Sequence, residues 1–345
     1  MKKFGLGIVG LGMALKPHLL ALADLAGRIE VVGAYSPSAE RRAAFSTQTG
    51  IPTVDALERL LADPRVAALL VLTPPRTHVD IATRAAVAGK DVLLEKPVDV
   101  SLPGAQALVE RFEAHRRTLG VVFQHRFRPG ALRLAQLLQA NELGRLLDVS
   151  ASIRWWRPPE YFAQPGRGML ARDGGGVLLT QAIHTLDLLL ALAGPAQRIA
   201  AVCRTSPLRR IDTEDIACAS VTFASGAIGV IDATTTAYPG YPECIQLAGE
   251  NGSAKLEAEA LSVRWHDGRT LDVAGASAGG GGADPMAFSH GPHRLLIEDF
   301  VDAVEQGRTP RVSGRSALRV QALIEAMLLG SREMRFVDVA QTDGR

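Results

Sequence analysis

Cysteine is scarce in the 345 residues. Cys203, Cys218 and Cys244 are an odd, scattered set without a C-x-x-C pair, and they read as thiols of a chain kept in a reducing, cytoplasmic compartment. An excess of one charge is missing too: 38 Lys and Arg stand against 36 Asp and Glu, for a net charge of +2. With no basic block or stripe there is no electrostatic case for a nucleic-acid partner. No apolar run reaches the roughly 18 residues of a membrane span, so no membrane is expected. Met1-Lys2-Lys3 resembles the start of an export signal, but the apolar run after it is short and leads straight into glycines, so it reads as a first strand. What remains, 47% hydrophobic and 21% charged, is the profile of a globular protein long enough for about two domains.

Over residues 1–125 short apolar runs alternate with helical patterns. Strands are predicted at 4–9, 30–34, 67–72, 91–95 and 120–124, with helices at 15–26, 39–47, 78–88 and 103–116 between them. Near-continuous apolar strands alternating with helices imply a parallel sheet covered on both faces. Beyond 125 the rhythm changes. A helix at 130–141, a strand at 146–156 and a long helix at 176–192 lead into six β-rich runs between 199 and 265 separated by turn residues, the pattern of an antiparallel sheet. The Gly/Ala/Ser-rich stretch 275–283 reads as a loop, and helices at 292–306 and 315–332 close the chain. The fold expected is α/β, with an N-terminal parallel-sheet domain over 1–125 and a second α/β domain over 126–345 built on a large, mostly antiparallel sheet.

The run GIVGLGMALKPH, residues 7–18, follows a strand and opens a helix. Gly10-Leu11-Gly12 suits the tight turn and close backbone approach of a dinucleotide pyrophosphate, with Met13 and Ala14 leading to the helix N–H groups, as in a Rossmann domain. The strict G-x-G-x-x-G pattern fails at Leu15. At the end of the second strand stand Ser36-Pro37-Ser38 and Arg41-Arg42 instead of an acidic residue. Ser36 and Arg41 would accept the 2′-phosphate of NADP, which tilts the choice between NADP and NAD slightly towards NADP. The same arginines could equally be a solvated helix face.

Two further motifs end strands on the same edge: Thr73-Pro74-Pro75-Arg76-Thr77-His78 and Glu95-Lys96-Pro97. A lysine fixed between a strand and a proline is held in place, and beside a nicotinamide its ammonium could hydrogen-bond a substrate oxygen and help move its proton. Alone it would be a surface lysine at a turn. The combination of Gly10-x-Gly12, Pro17-His18, Thr73-Pro74-x-x-x-His78 and Glu95-Lys96-Pro97 resembles the glucose–fructose oxidoreductase / inositol dehydrogenase / rhizopine-catabolism (Gfo/Idh/MocA) family. The resemblance continues through residues 124–129, Gly174-Gly175-Gly176 with His184 and Asp187, and Asp299-Phe300-Val301-x-Ala303. It implies a hydride transfer between the cofactor and a sugar, sugar-acid, nucleotide-sugar or polyol. It also implies cofactor contacts from Thr73, Pro74, His78, Glu95, Lys96 and Gln124, with Lys96 as the family lysine.

In the helix after the three glycines, Thr180, His184 and Asp187 fall at i, i+4 and i+7 and share one face. A polar stripe among Val, Leu and Ile needs a partner or a function. His184 has the range to pass a proton, and Asp187 one turn on would orient its ring. A histidine on an apolar helix is otherwise a satisfied core residue; paired with Lys96 it becomes the second candidate catalytic residue, the two meeting across the cleft between domains. The family often carries Asp four residues before this histidine, where Thr180 stands, so the substrate class stays open. Arg126, Trp156, Arg157, Tyr161, Thr180, Gln181 and Asp187 are the candidate substrate contacts. Arg126, Arg128, Arg154, Arg157 and Arg167 either read an acidic or phosphorylated sugar or form loop salt bridges. His184 and Asp187 lack a second histidine nearby and His290 and His293 lie beyond the glycine-rich stretch, so no metal is assigned. The partners expected are a small-molecule substrate and further copies of the chain, as a dimer or tetramer. Two other readings remain: a nucleotide-binding regulator that lost the chemistry, and an imine or tetrapyrrole reductase.

Overall fold

The computed structural model describes residues 3–275 and 289–342. Apart from Gly275, the glycine-rich stretch read as a loop lies outside the described residues. The chain divides into two compact units, residues 1–122 with His290–Leu318, and Phe123–Ser289 with Arg319–Arg345.

In the first unit six strands, β1 (Phe4–Val9), β2 (Ile29–Tyr35), β3 (Thr53–Val54), β4 (Ala68–Val71), β5 (Asp91–Leu94) and β6 (Leu119–Val121), form one sheet in the order β3-β2-β1-β4-β5-β6. Every pairing is parallel. The crossovers carry α1 (Leu15–Asp24), α2 (Ala39–Thr49), α3 (Leu57–Ala62), α4 (His78–Val87) and α5 (Leu102–Ala114). Every residue of β1, β4 and β5 is buried, which explains why those strands read as unbroken apolar runs. Helix starts are set locally: Ser38 Oγ accepts from the Arg41 N–H at α2, and Ser101 Oγ from the Gly104 N–H at α5. β1 and β4 flank the point where strand order reverses, and the crevice outside their carboxyl ends is where open α/β sheets bind ligands.

The second unit begins with α6 (Pro129–Gln139) and β7 (Leu146–Arg154), then two short helices, α7 (Pro159–Phe162) and α8 (Leu170–Asp173). A π-helical turn, Leu178–Ala182, runs into α9 (Ile183–Ala193). β8 (Ala196–Arg204), β9 (Ile216–Phe223), β10 (Ile228–Thr234), β11 (Cys244–Gly249), β12 (Gly252–Glu257), β13 (Ala260–Trp265) and β14 (Thr270–Val273) follow. With β15 (Val337–Asp338) they build a nine-stranded sheet in the order β14-β13-β12-β11-β7-β10-β9-β8-β15. Only β7 with β10 is parallel. By composition the stretch Leu170–Ala193 is apolar and long enough to cross a membrane, but 83% of its most apolar window is buried inside the structure, as befits a core helix.

The closing helices are α10 (Gly291–Gln306) and α11 (Gly314–Glu333). A second domain running unbroken over 126–345 does not describe this arrangement, because residues 290–318 group with the first unit. The reason is the apolar stripe of α10, with Leu296, Ile297, Phe300 and Val301 buried, which packs on α1 and β5.

Candidate functional site

Main-chain hydrogen bonds sew the carboxyl ends of the first sheet together. The Gly10 N–H donates to the Tyr35 carbonyl, Leu72 to Val9 and Glu95 to Val71. The ends of β1, β2, β4 and β5 therefore converge, and with them Gly10, Ser36, Thr73 and Glu95-Lys96. Gly10 has φ +103°, and a Cβ there would lie 2.8 Å from the carbonyl carbon and oxygen of Leu72, so the fold itself demands glycine. At Gly12 a Cβ would meet nothing within 4 Å. The protein leaves open space at the second glycine, beside a helix whose N-cap, Ala14, makes no side-chain cap bond. Uncapped helix N–H groups next to an exposed glycine fit a pyrophosphate. Met13 is 64% exposed there.

At the ribose position Ser36 is buried and its Oγ accepts weakly from the Ser38 N–H at 3.4 Å. Arg42 is taken up by the Ser36 and Pro37 carbonyls, at 2.6 and 3.2 Å, whereas Arg41 is exposed at the start of α2. Pro74 is exposed, and Thr73 is half-buried with its Oγ accepting from the Thr77 hydroxyl at 2.8 Å.

His78 differs from expectation. It is 0% exposed, with Nδ1 2.8 Å from the Pro97 carbonyl oxygen and Nε2 2.8 Å from that of Thr73. A ring buried this way cannot touch a cofactor, so the contact expected of His78 is replaced by a structural bond between two loops. Burial pushes its imidazole below the ordinary range, against the pull of those carbonyls and of Glu95 and Asp99. Glu95 is likewise turned inward: Oε1 lies 3.0 Å from His18 Nε2, and Oε2 accepts the Lys96 N–H at 3.1 Å. Burial alone would raise the Glu95 carboxyl. The His18 hydrogen bond and charge, with Lys96 and His293, hold it below the usual carboxylate range. His18 and His293, whose rings meet edge to face at 4.9 Å, went unread as site residues. Lys96 itself is half-buried at the strand end.

In the second unit Gln124 presents a buried Oε1 without a hydrogen-bond partner among the described residues. A buried amide oxygen of this kind fits a ligand donor. Asp187, 1% exposed, accepts from Arg126 Nε at 2.7 Å and Nη2 at 2.5 Å. This bidentate pair overturns two expectations at once. Asp187 is committed to Arg126 instead of orienting His184, and Arg126 is committed to Asp187 instead of to a substrate. Burial still pushes the Asp187 carboxyl up. The ring beside His184 is His125, 5.0 Å away and tilted by 31°, with Phe123 edge-on at 5.8 Å.

Thr180, Gln181, Tyr161, Arg157 and Trp156 do come together. Gln181 Nε2 donates to the Tyr161 hydroxyl at 3.1 Å, and Thr180 bonds the Gly176 carbonyl at 2.7 Å and reaches the Gln181 amide oxygen. Arg157 lies over Trp155 and Tyr161 and donates to the Trp156 carbonyl. The arginines of this region are largely neutralised within the chain: Arg128 by Glu243, Arg154 by Asp232 and Arg167 by Asp173. Arg209, unnoticed in the sequence, pairs with Asp215 at 2.8 Å beneath Trp156 and Phe162. The three thiols are free, and burial pushes Cys203 up to about 11, so it stays protonated. Among the described residues no group of three His, Cys, Asp or Glu could hold a metal ion.

A parallel sheet of this order, ending in a glycine loop with an uncapped helix behind it, has the form of a dinucleotide-binding Rossmann domain. Residues 4–123 match the model described as the oxidoreductase family, NAD-binding Rossmann fold, and residues 131–255 match the GFO/IDH/MocA C-terminal domain. The chain belongs to the Gfo/Idh/MocA oxidoreductase family. An uncharacterized oxidoreductase of Synechocystis is 30% identical over 325 residues, covering 83% of each chain. The D-apiose dehydrogenase of Paraburkholderia graminis is 28% identical over 355 residues, 98% of this chain and 90% of the relative. Among solved structures, the WlbA dehydrogenase from Bordetella pertussis, in complex with NADH and UDP-GlcNAcA, superposes with a TM-score of 0.83 at 27% identity, over 98% of this chain and 99% of that one.

Proposed function

We propose that the chain is an NAD(P)-dependent dehydrogenase that interconverts an alcohol and a ketone on a sugar or polyol. The observation that carries this reading is Lys96, held at the carboxyl edge of the parallel sheet in the same row of loop ends as the open Gly12 turn. Gly10, Gly12, Met13 and Ala14 would hold the pyrophosphate, Ser36 and Arg41 the adenosine ribose, and Thr73, Pro74, Lys96 and Gln124 the nicotinamide half. Dehydrogenation removes a hydride from carbon and a proton from oxygen; a bound nicotinamide supplies the hydride acceptor, and the protein must handle the proton. Lys96 orients the reacting oxygen and carries its charge, and His184 exchanges the proton. Trp156, Tyr161, Thr180 and Gln181 bind the sugar. Arg126 and Asp187 are paired with each other. The neutralised arginines support an uncharged sugar or polyol over a sugar acid. Exposed Arg41, with Ser36 in place of an acidic residue just after β2, supports acceptance of NADP beside NAD. A second copy of the chain is the partner we propose, seated on the open face of the nine-stranded sheet.

The test is turnover with NAD or NADP against D-apiose, myo-inositol, D-glucose and UDP-GlcNAcA, read by nicotinamide absorbance, with NADH and NADPH affinities alongside. Lys96→Met and His184→Asn should each lower kcat by roughly 10²–10⁴-fold, as for a lost acid–base group, with little change in cofactor affinity in His184→Asn. Preference for UDP-GlcNAcA would sink the neutral-substrate reading, and NADPH binding far weaker than NADH the NADP one. Full turnover in either variant would remove that residue from the chemistry. Tight NADH binding with no turnover on a broad polyol panel would favour the regulator.

A further inference from the structure

Two buried histidines and a half-buried carboxylate of the first unit flank Lys96. His18 and His78 are both 0% exposed, and Glu95 is turned into the same interior. On one side of Lys96, His18 bonds Glu95 Oε1, and Glu95 Oε2 accepts the main-chain N–H of Lys96 itself. On the other side, His78 bonds the carbonyl of Pro97, the next residue, and ties it to the carbonyl of Thr73 at the end of β4. The chain is thus gripped immediately before and immediately after Lys96, in each case through a histidine. The two grips are unequal. His18 meets an anionic acceptor, which a single N–H satisfies. His78 meets two carbonyl oxygens, both acceptors, while a neutral imidazole has one N–H. One of its two contacts therefore carries the stronger bond.

We propose that His18 and His78 are positioning residues that hold Lys96 in place through Glu95 and Pro97, and that the His78 bond to the Pro97 carbonyl is the one catalysis depends on. The inference rests on the reading of Lys96 as the residue that meets substrate. Brace and lysine all lie in the first unit, so the argument needs no contact with the second. Displacement of a catalytic group by about 1 Å costs on the order of 10²-fold in rate, so a grip on both neighbouring peptide groups has a measurable consequence.

Side-chain chemistry separates the two His78 bonds. Asparagine carries its amide nitrogen at the same bond count from Cβ as imidazole Nδ1, and glutamine at that of Nε2. His78→Asn therefore keeps a donor for Pro97, and His78→Gln keeps one for Thr73. With NAD and the polyol turned over best in the panel above, His78→Asn should keep kcat within roughly threefold of the parent, whereas His78→Gln should lose on the order of tenfold or more. Both should keep NADH affinity and lose a similar amount of thermal stability. From the other side, His18→Gln, which retains a donor for Glu95, should exceed His18→Phe in kcat. A readout free of substrate is competitive acetylation of the apo protein by acetic anhydride, with Lys255 as the exposed reference. His78→Gln should change the Lys96-to-Lys255 ratio severalfold, because the lysine is displaced, and His78→Asn should not. Equal kcat losses in the Asn and Gln variants, in step with their stability, would reduce the brace to packing and overturn the inference. The reverse order, Gln active and Asn not, would overturn it too. Unchanged kcat in Lys96→Met would bring down the reading of Lys96 and the brace with it, whereas a dead Lys96→Met beside equal His78 variants would bring down the brace alone.

Discussion

At the scale of single residues, the two glycines of the first loop carry different obligations, and the sequence shows them as equals. Gly10 sits at positive φ against the Leu72 carbonyl, whereas nothing in the protein lies within 4 Å of a Cβ at Gly12. Gly10→Ala should therefore lower stability by about 1–3 kcal/mol through backbone strain and the clash. Gly12→Val should leave the melting temperature almost unchanged and abolish NADH binding, because its side chain fills the space above the α1 N-terminus. Calorimetry on both variants checks this; a folded Gly12→Val with full NADH affinity would mean that the pyrophosphate lies elsewhere. His78 shows the opposite limit. Its place four residues after Pro74 was legible, but its role was not, because burial and the Pro97 carbonyl come from the tertiary packing of two loops. His18 and His293, 275 residues apart, are likewise joined only by folding.

At the scale of elements, long periodic segments were readable. β1 falls on its predicted span, and most helix ends lie within two residues of theirs. The misses are short elements, among them two-residue β3, four-residue β14, and six-residue α3, whose N-cap Ala56 makes no side-chain bond to mark the start. The π-turn at Leu178–Ala182 escaped for a different reason, since its composition suits an α-helix equally well and the wider turn shows only in the hydrogen bonds. It also rotates Thr180 relative to His184, so the simple i, i+4 face holds only from His184 onward. Asp187 then finds Arg126, 61 residues earlier in the chain. Removing one side of so buried a pair is costly. Asp187→Leu, which strips the guanidinium of its bidentate acceptor, should destabilise the chain by about 3–5 kcal/mol. Arg126→Leu/Asp187→Leu should recover part of that loss. Denaturant unfolding of the singles and the double decides it: strictly additive losses would show that the two groups do not stabilise each other.

For the whole molecule, the alternation of strand and helix specified a parallel first sheet, and the turn-separated β runs specified a mostly antiparallel second one; both sheets have that form. The route of the tail was not legible, because an apolar stripe on α10 says that a surface is covered without saying which unit covers it. The outer face of the nine-stranded sheet raises the same question about a partner. Along β10, Gly229 and Ile231 are buried while Ile228 and Val230 are 60% and 54% exposed. Val202 on β8, with Met334 and Phe336 nearby, adds to the same apolar surface. Contiguous apolar exposure of this kind on a sheet face marks an association surface. A second copy offers the same patch, so a two-fold axis through it would bury each exposed residue twice. The chain should therefore sediment above its 36.7 kDa monomer mass at micromolar concentration. Ile228→Glu with Val230→Glu would place four carboxylates in a two-fold interface and should shift the species to monomer, with the fold kept because both side chains point away from the core. Sedimentation velocity is the measurement. A parent chain that is monomeric at tens of micromolar, or a variant that stays associated, would move the contact off this face.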